Sequence, residues 1–222
     1  MLAGCGDDQA TDNITPPDGP QAQFRVGNFI SDALGDRVNI IIEGVPYAAN
    51  MAYGSVGATR LILTGSRSFT IVNTAQESSE LFNGDVEIPD ANTAYTILFA
   101  GASGAVVPIV MDDAENEPTE SQYRVRVAHA ATQAGAVDVY ILEPGADVST
   151  STPTQTNVAL GESLSLLRPV GTGTRVVVTA TGSSTPLAEL DVAAPAATQA
   201  TTYVLGEAVG GGAPYTLGTV SF

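Results

Sequence analysis

Apolar residues along this chain come in short runs bounded by Gly, Pro, Asn, Asp or Ser. Arg124-Val125-Arg126-Val127 alternates with a period of two, and Val137-Asp138-Val139-Tyr140-Ile141 does the same. That pattern predicts strands with one face in a core and the other in water. Arg175-Val176-Val177-Val178-Thr179 is β-branched and continuous, which predicts a strand buried on both faces. Tyr203-Val204-Leu205 closes the set, and Gly44-Val45-Pro46 and Glu143-Pro144-Gly145 mark turns. No helical period persists beyond a turn or two.

The same order of elements occurs twice. Phe24-Arg25-Val26 returns as Tyr123-Arg124-Val125, and Val38-Asn39-Ile40-Ile41-Ile42 as Val137-Asp138-Val139-Tyr140-Ile141. Ala52-Tyr53-Gly54 answers Ala159-Leu160-Gly161, Thr64-Gly65-Ser66-Arg67 answers Thr172-Gly173-Thr174-Arg175, and Thr93-Ala94-Tyr95-Thr96-Ile97 answers Thr201-Thr202-Tyr203-Val204-Leu205. An internal repeat of this kind, with about seven short strands per copy, predicts an all-β chain of two tandem immunoglobulin-like β-sandwich domains. The boundaries fall at 21–110 and 121–222, after a flexible tether over 1–20. The stretch 111–120, rich in Asp and Glu, reads as an acidic linker held extended by self-repulsion. A small interface and relative motion of the two domains follow from that reading.

Charge narrows the partners. The 222 residues hold 24 acidic and 8 basic side chains, a formal net charge of -16, and every basic residue is arginine. Such a surface repels phosphate backbones, so nucleic acid is excluded as a partner, and it repels anionic headgroups too. No apolar stretch approaches the roughly 18 residues of a membrane-spanning helix. The chain has no tryptophan, and aromatic residues make up only 6 %.

The single cysteine, Cys5, follows Leu2-Ala3-Gly4 and precedes Gly6-Asp7-Asp8-Gln9. This short motif resembles the lipobox of bacterial lipoproteins, in which the cysteine becomes the lipidated N-terminus. The expectation is a membrane anchor through Cys5, an outer-membrane or cell-surface address, and a given start that lacks the basic and apolar parts of a signal peptide.

Tyr123-Arg124-Val125-Arg126-Val127-Ala128-His129-Ala130, followed by Ala136-Val137-Asp138-Val139-Tyr140, is similar to the R-V-x-H-A-S-P-x-A-P-x-V-D-V-Y signature of the DUF4397 family. The resemblance implies secreted bacterial β-sandwich domains, often in tandem, with no assigned biochemical activity. The first copy departs from the signature: Ile30 stands at the histidine position and Asn39 at the aspartate position. Ala131-Thr132 replaces the usual Ser-Pro.

Candidate chemistry is sparse. His129, the only histidine, is expected to form a structural pair with Asp138 rather than part of a Ser-His-Asp triad, since no G-x-S-x-G elbow accompanies it. Zinc lacks a ligand set. Asp112, Asp113 and Glu115 are weak calcium candidates, although their spacing does not match a calcium loop. No cofactor is expected. The function expected is that of a lipid-anchored envelope module, structural or interacting, that binds an envelope or extracellular protein or itself. One alternative is a carbohydrate-binding or adhesive module whose aromatic platform would draw on Tyr47, Tyr53, Tyr140 or Tyr215. A second is a hydrolase using His129.

Overall fold

The computed structural model describes residues 18–32, 36–76 and 78–221. The expected lipidation site Cys5 and most of the 1–20 tether lie outside these residues.

The first half of the chain forms β1 (Gln21–Ile30), β2 (Arg37–Ile42), β3 (Val45–Ala52), β4 (Arg60–Leu63), β5 (Gly65–Asn73), β6 (Glu80–Ile88), β7 (Ala94–Gly101) and β8 (Val107–Asp112). They make two four-stranded sheets, β4-β1-β7-β8 and β3-β2-β5-β6. The second half forms β9 (Gln122–His129), β10 (Val137–Leu142), β11 (Gln155–Val158), β12 (Ser163–Pro169), β13 (Thr174–Ala180), β14 (Pro186–Val192), β15 (Ala200–Gly206) and β16 (Thr216–Ser221). Their sheets run β12-β9-β15-β16 and β11-β10-β13-β14, the same order strand for strand. The chain is all-β and comprises two β-sandwiches. Each sandwich has eight strands rather than about seven. Its first strand pairs in parallel with its seventh (β1 with β7, β9 with β15) and not with its second.

Each sandwich closes over its own core. Phe24, Val26, Ile40, Phe69, Ile71 and Ile97 belong to the first, and Tyr123, Val125, Val139, Val176, Val178 and Tyr203 to the second. Aromatic contacts help fill the first core, where Phe82 and Phe99 lie 4.9 Å apart at a tilt of 56°. As the continuous β-branched run predicted, Val176, Val177 and Val178 are all fully buried. Val177 does not face the sandwich core. It packs outward with Tyr140 and Val148, so the connection that follows β10 covers this sheet from outside.

A third apolar cluster lies between the sandwiches. Phe29, Leu98, Ala100, Ile109 and Met111 on the outer face of one sheet meet Ala128, Ala130, Val204 and Val220 on the outer face of the other. The four sheets therefore stack as four layers, and the two middle sheets are covered on both faces. This corrects the expected small interface. It also explains the near-continuous burial of β7 and β9, since a strand between two packed layers has no wet side.

The reading of 111–120 as an extended spacer is corrected as well. Met111 and Asp112 belong to β8, Met111 is buried in the middle cluster, and the Asp113 amide continues the pairing by donating to the Ala94 carbonyl at 2.7 Å. Asp113 does not turn to solvent, because Arg126 of β9 stands opposite it, while Glu117 and Glu120 are exposed.

Candidate functional site

The alternation of β9 places Tyr123, Val125 and Val127 in the core of the second sandwich and turns Arg124 and Arg126 the other way. That other face meets the first sandwich, so both guanidinium groups are buried: Arg124 is 2 % exposed and Arg126 0 %. Buried cations require partners. Arg126 Nη1 lies 3.2 Å from Asp113 Oδ1, its Nη2 donates to the Asp112 carbonyl, and Glu115 Oε2 lies 3.7 Å away. Arg124 Nη1 donates to the Asp113 carbonyl at 2.7 Å and to the Glu115 carbonyl at 2.6 Å. On the side of the first sandwich, the Thr96 hydroxyl donates to Asp113 Oδ2 at 2.8 Å and accepts from Arg25 Nε at 2.9 Å. A continuous polar chain, Arg25–Thr96–Asp113–Arg126, thus crosses from one sandwich to the other. Burial pushes the Asp113 carboxyl above its ordinary value, against the pull of Thr96 and the three arginines.

These contacts account for the calcium candidates. Asp113 is spent on Thr96 and Arg126, and Asp112 Oδ1 accepts from the Thr93 hydroxyl at 2.9 Å and the Ala114 amide at 2.8 Å. Glu115 faces Arg126. Among the described residues, no group of three or more His, Cys, Asp or Glu is placed to hold a metal ion.

His129 and Asp138 are both buried, but they do not pair. The Ala131 amide donates to His129 Nδ1 at 3.2 Å, so that nitrogen carries no proton, and Nε2–H donates to the Gly135 carbonyl at 2.7 Å. Desolvation pushes the ring below its ordinary pKa, and neither nitrogen is left to activate a hydroxyl. Asp138 instead accepts from the Asn157 amide at 2.9 Å and the Gly182 amide at 2.8 Å, tying β10 to the next hairpin and to the turn after β13. The pair fails because each side chain serves its own loop's backbone.

The same task falls to Asn39 in the first sandwich. Its Oδ1 accepts from the Asn50 amide at 2.9 Å. Asn50 and Asn157 are both left-handed, at φ 55° and 56°, and each lies within a register shift of its own strand, where an extra residue must be accommodated. Aspartate and asparagine both offer the acceptor oxygen this bulge needs, so both copies keep the device.

The four tyrosines considered as a glycan platform are occupied elsewhere. The Tyr47 hydroxyl accepts from the Val26 amide and donates to the Ala58 carbonyl, while Arg60 lies 4.8 Å from its ring centre. Tyr53 packs edge-on against Phe29 between the sandwiches, and its oxygen accepts from the Glu207 amide at 3.1 Å. Tyr140 is covered by Val148, and Tyr215 packs against the second core. What does stand open is a cleft of about 680 Å³ on the first sandwich and the segment that follows β8, lined by Gln21, Gln23, Leu61, Asn92, Thr93, Asp113 and Glu117.

Arg25, Thr96 and Glu207 were not singled out as site residues by sequence reasoning, and Tyr53 was singled out only for a glycan platform. The only hint was that Arg25 answers Arg124 in the repeat.

Fold and polar network together describe a double β-sandwich joined in part by the ionisable groups Arg124, Arg126 and Asp113. The chain belongs to the DUF4397 family, described as a domain of unknown function, whose model matches residues 22–140, just over half the chain. That match begins in β1 and ends in β10, so it includes both His129 and Asp138. No curated protein matches. Among solved structures, the chain is similar to CBMbc, a family CBM26 module from Amy13K of Eubacterium rectale in complex with maltoheptaose. The identity is 12 % over 91 % of this chain and 96 % of that chain, with a TM-score of 0.30. It is also similar to a leucine-rich repeat protein from Bacteroides thetaiotaomicron, at 13 % identity over 87 % of this chain and 27 % of that chain, with a TM-score of 0.22.

Proposed function

We propose that this protein is a lipid-anchored module of the bacterial cell envelope that works by non-covalent interaction rather than catalysis. One observation carries the reading. The side chains best suited to chemistry (His129, Asp138 and Asp113) are bonded inside the fold, whereas strand edges and acidic loops are what remain outside. A stack of four packed layers is a stiff platform on which such edges keep fixed spacing. Cys5 supplies the anchor, and the partner is an envelope or extracellular protein, or a second copy.

Cross-linking in intact cells tests this, with chemistry aimed at carboxylates because the chain has no lysine. Reproducible capture of one envelope or extracellular protein, or of the chain itself, is the expected result. Turnover of a substrate by the purified protein, abolished by a single substitution, would sink it. Metabolic labelling with a fatty acid tests the anchor: the label is expected on the intact chain and absent from Cys5→Ser.

A second reading, glycan binding, is favoured by the cleft on the first sandwich, whose amide and hydroxyl groups from Gln21, Gln23, Asn92 and Thr93 match the donors and acceptors of a polyol. A glycan array without signal above background would remove it.

A further inference from the structure

β4 and β3 are the exposed edge strands on one side of the first sandwich. Between them runs an apolar groove of about 470 Å³, walled by Val45, Pro46 and Tyr47 on one side and Leu61 and Leu63 on the other, with Phe24 lining it as well. Its rim holds the two most exposed large apolar side chains among the described residues, Leu61 at 65 % and Val45 at 63 %.

The backbone of β4 is set up to take another strand. Ile62 lies opposite Ala22, and the Thr64 amide donates to the Pro20 carbonyl at 3.0 Å. Residues 62 and 64 therefore face β1, and the alternation turns the peptide groups of Leu61 and Leu63 to the open edge. β4 keeps an even register with β1, whereas β3 has register shifts, contains Pro46, and is interrupted by the left-handed Asn50. Bulges and proline are the usual means of blunting an edge, and β4 has neither.

The groove is open for a local reason. In the first sandwich β2 and β3 are joined by the two-residue turn Glu43-Gly44, with φ of 51° and 74°. In the second sandwich the corresponding connection is longer, and Glu143 within it forms an ion pair with Arg168 of β12, bridging the matching side.

Charge selects the occupant. Arg60 and Arg67 line the groove, two of only eight basic residues in a chain with 24 acidic ones. Arg67 donates to the Thr64 carbonyl at 2.6 Å and meets Glu43, the one acidic residue of the lining, only at 3.9 Å. Arg60 reaches the Pro46 carbonyl at 3.4 Å and lies over the Tyr47 ring, so the groove keeps an excess of positive charge. We propose that β4 and this groove dock an extended segment of a partner protein in which apolar side chains alternate with Asp or Glu. The segment adds as a strand to β4, its apolar side chains enter the groove and its carboxylates meet Arg60 and Arg67. A second copy is a poorer occupant, because two chains of net charge -16 repel each other. The inference rests on the interaction-module reading and names the partner's chemistry.

Panning a phage-displayed library of random 12-residue peptides against the whole chain tests it. Enrichment of sequences that alternate apolar and acidic residues is expected. A synthetic peptide of that consensus is then titrated by fluorescence anisotropy. Leu61→Pro, which removes an edge donor, is expected to weaken binding at least tenfold. Leu61→Asp, a change at an exposed position that leaves the melting temperature unaltered, does the same by repulsion and decides the matter if the proline variant fails to fold. The double change Arg60→Gln with Arg67→Gln weakens binding several-fold and flattens its salt dependence. Enrichment of basic peptides, no enrichment, or binding indifferent to Leu61→Asp would each overturn the assignment, as would a dimer in sedimentation that Leu61→Asp dissolves. If cross-linking in cells captures a partner through residues far from β4 while panning yields nothing, this groove assignment fails and the interaction-module reading stands.

Discussion

Arg126 of the second sandwich and Asp113, at the end of the first, face each other at 3.2 Å with almost no access to water. Burial raises the pKa of Asp113 against the pull of its partners, and for buried ion pairs generally the cost of desolvation offsets much of the attraction. Removing one member is another matter, because the other stays buried and uncompensated. Asp113→Ala is expected to destabilise the protein by about 3–5 kcal/mol. In urea titrations, Arg126→Met combined with Asp113→Leu should cost clearly less than the two single changes added together. Additive losses would show that the two groups do not act on each other.

The apolar half of the same interface should make the two sandwiches melt as one. Leu98 is fully buried between Phe29 and the facing sheet, and Leu98→Ala is expected to cost about 2–5 kcal/mol. Leu98→Asp places a charge there and should split a single calorimetric transition into two. Two transitions already present in the unaltered protein would contradict a shared core.

His129 predicts an acid limit. Its folded-state pKa lies below the ordinary value near 6.5, which the unfolded chain retains. The stability carried by the neutral ring is therefore fully present above that value and is lost as pH falls through the lower folded-state value. Glu207 and Glu162 pull in the opposite direction and narrow the effect. Below pH 6.5 the urea midpoint of the unaltered protein should fall more steeply than that of His129→Gln. Parallel curves would mean that the ring titrates normally in the fold.

Asp138 offers a graded test of the bulge. Asp138→Asn keeps one acceptor for the Asn157 amide, as Asn39 does for Asn50, and should cost about 1 kcal/mol. Asp138→Ala leaves both amides, of Asn157 and Gly182, without their acceptor and should cost more, about 2–3 kcal/mol. Equal losses from the two changes, measured by thermal denaturation, would rule out this division of labour.

Much of the architecture was legible in the residues. The repeat located equivalent strands, and the run Val176-Val177-Val178 marked a strand buried on both faces. The fate of the arginine face of β9 was not legible. Alternation shows that the two faces of a strand differ, but not whether the polar face meets water or another protein layer furnished with carboxylates. The same ambiguity hid Asp112 and Asp113, which read as a solvated spacer until Arg124 and Arg126 stand opposite them. His129 and Asp138 do not form the expected pair, because the backbone groups that hold them come from loops whose paths no spacing rule supplies.

One consequence of the strand order concerns force. β1 is the first strand of the described chain, yet it lies inside its sheet, clasped by β4 on one side and β7 on the other. A pull on residue 18 therefore drags β1 lengthwise past two neighbours, and its hydrogen bonds share the load and yield together in shear rather than peeling away singly. A protein moored by its beginning and tugged from elsewhere would be hard to unravel from that end.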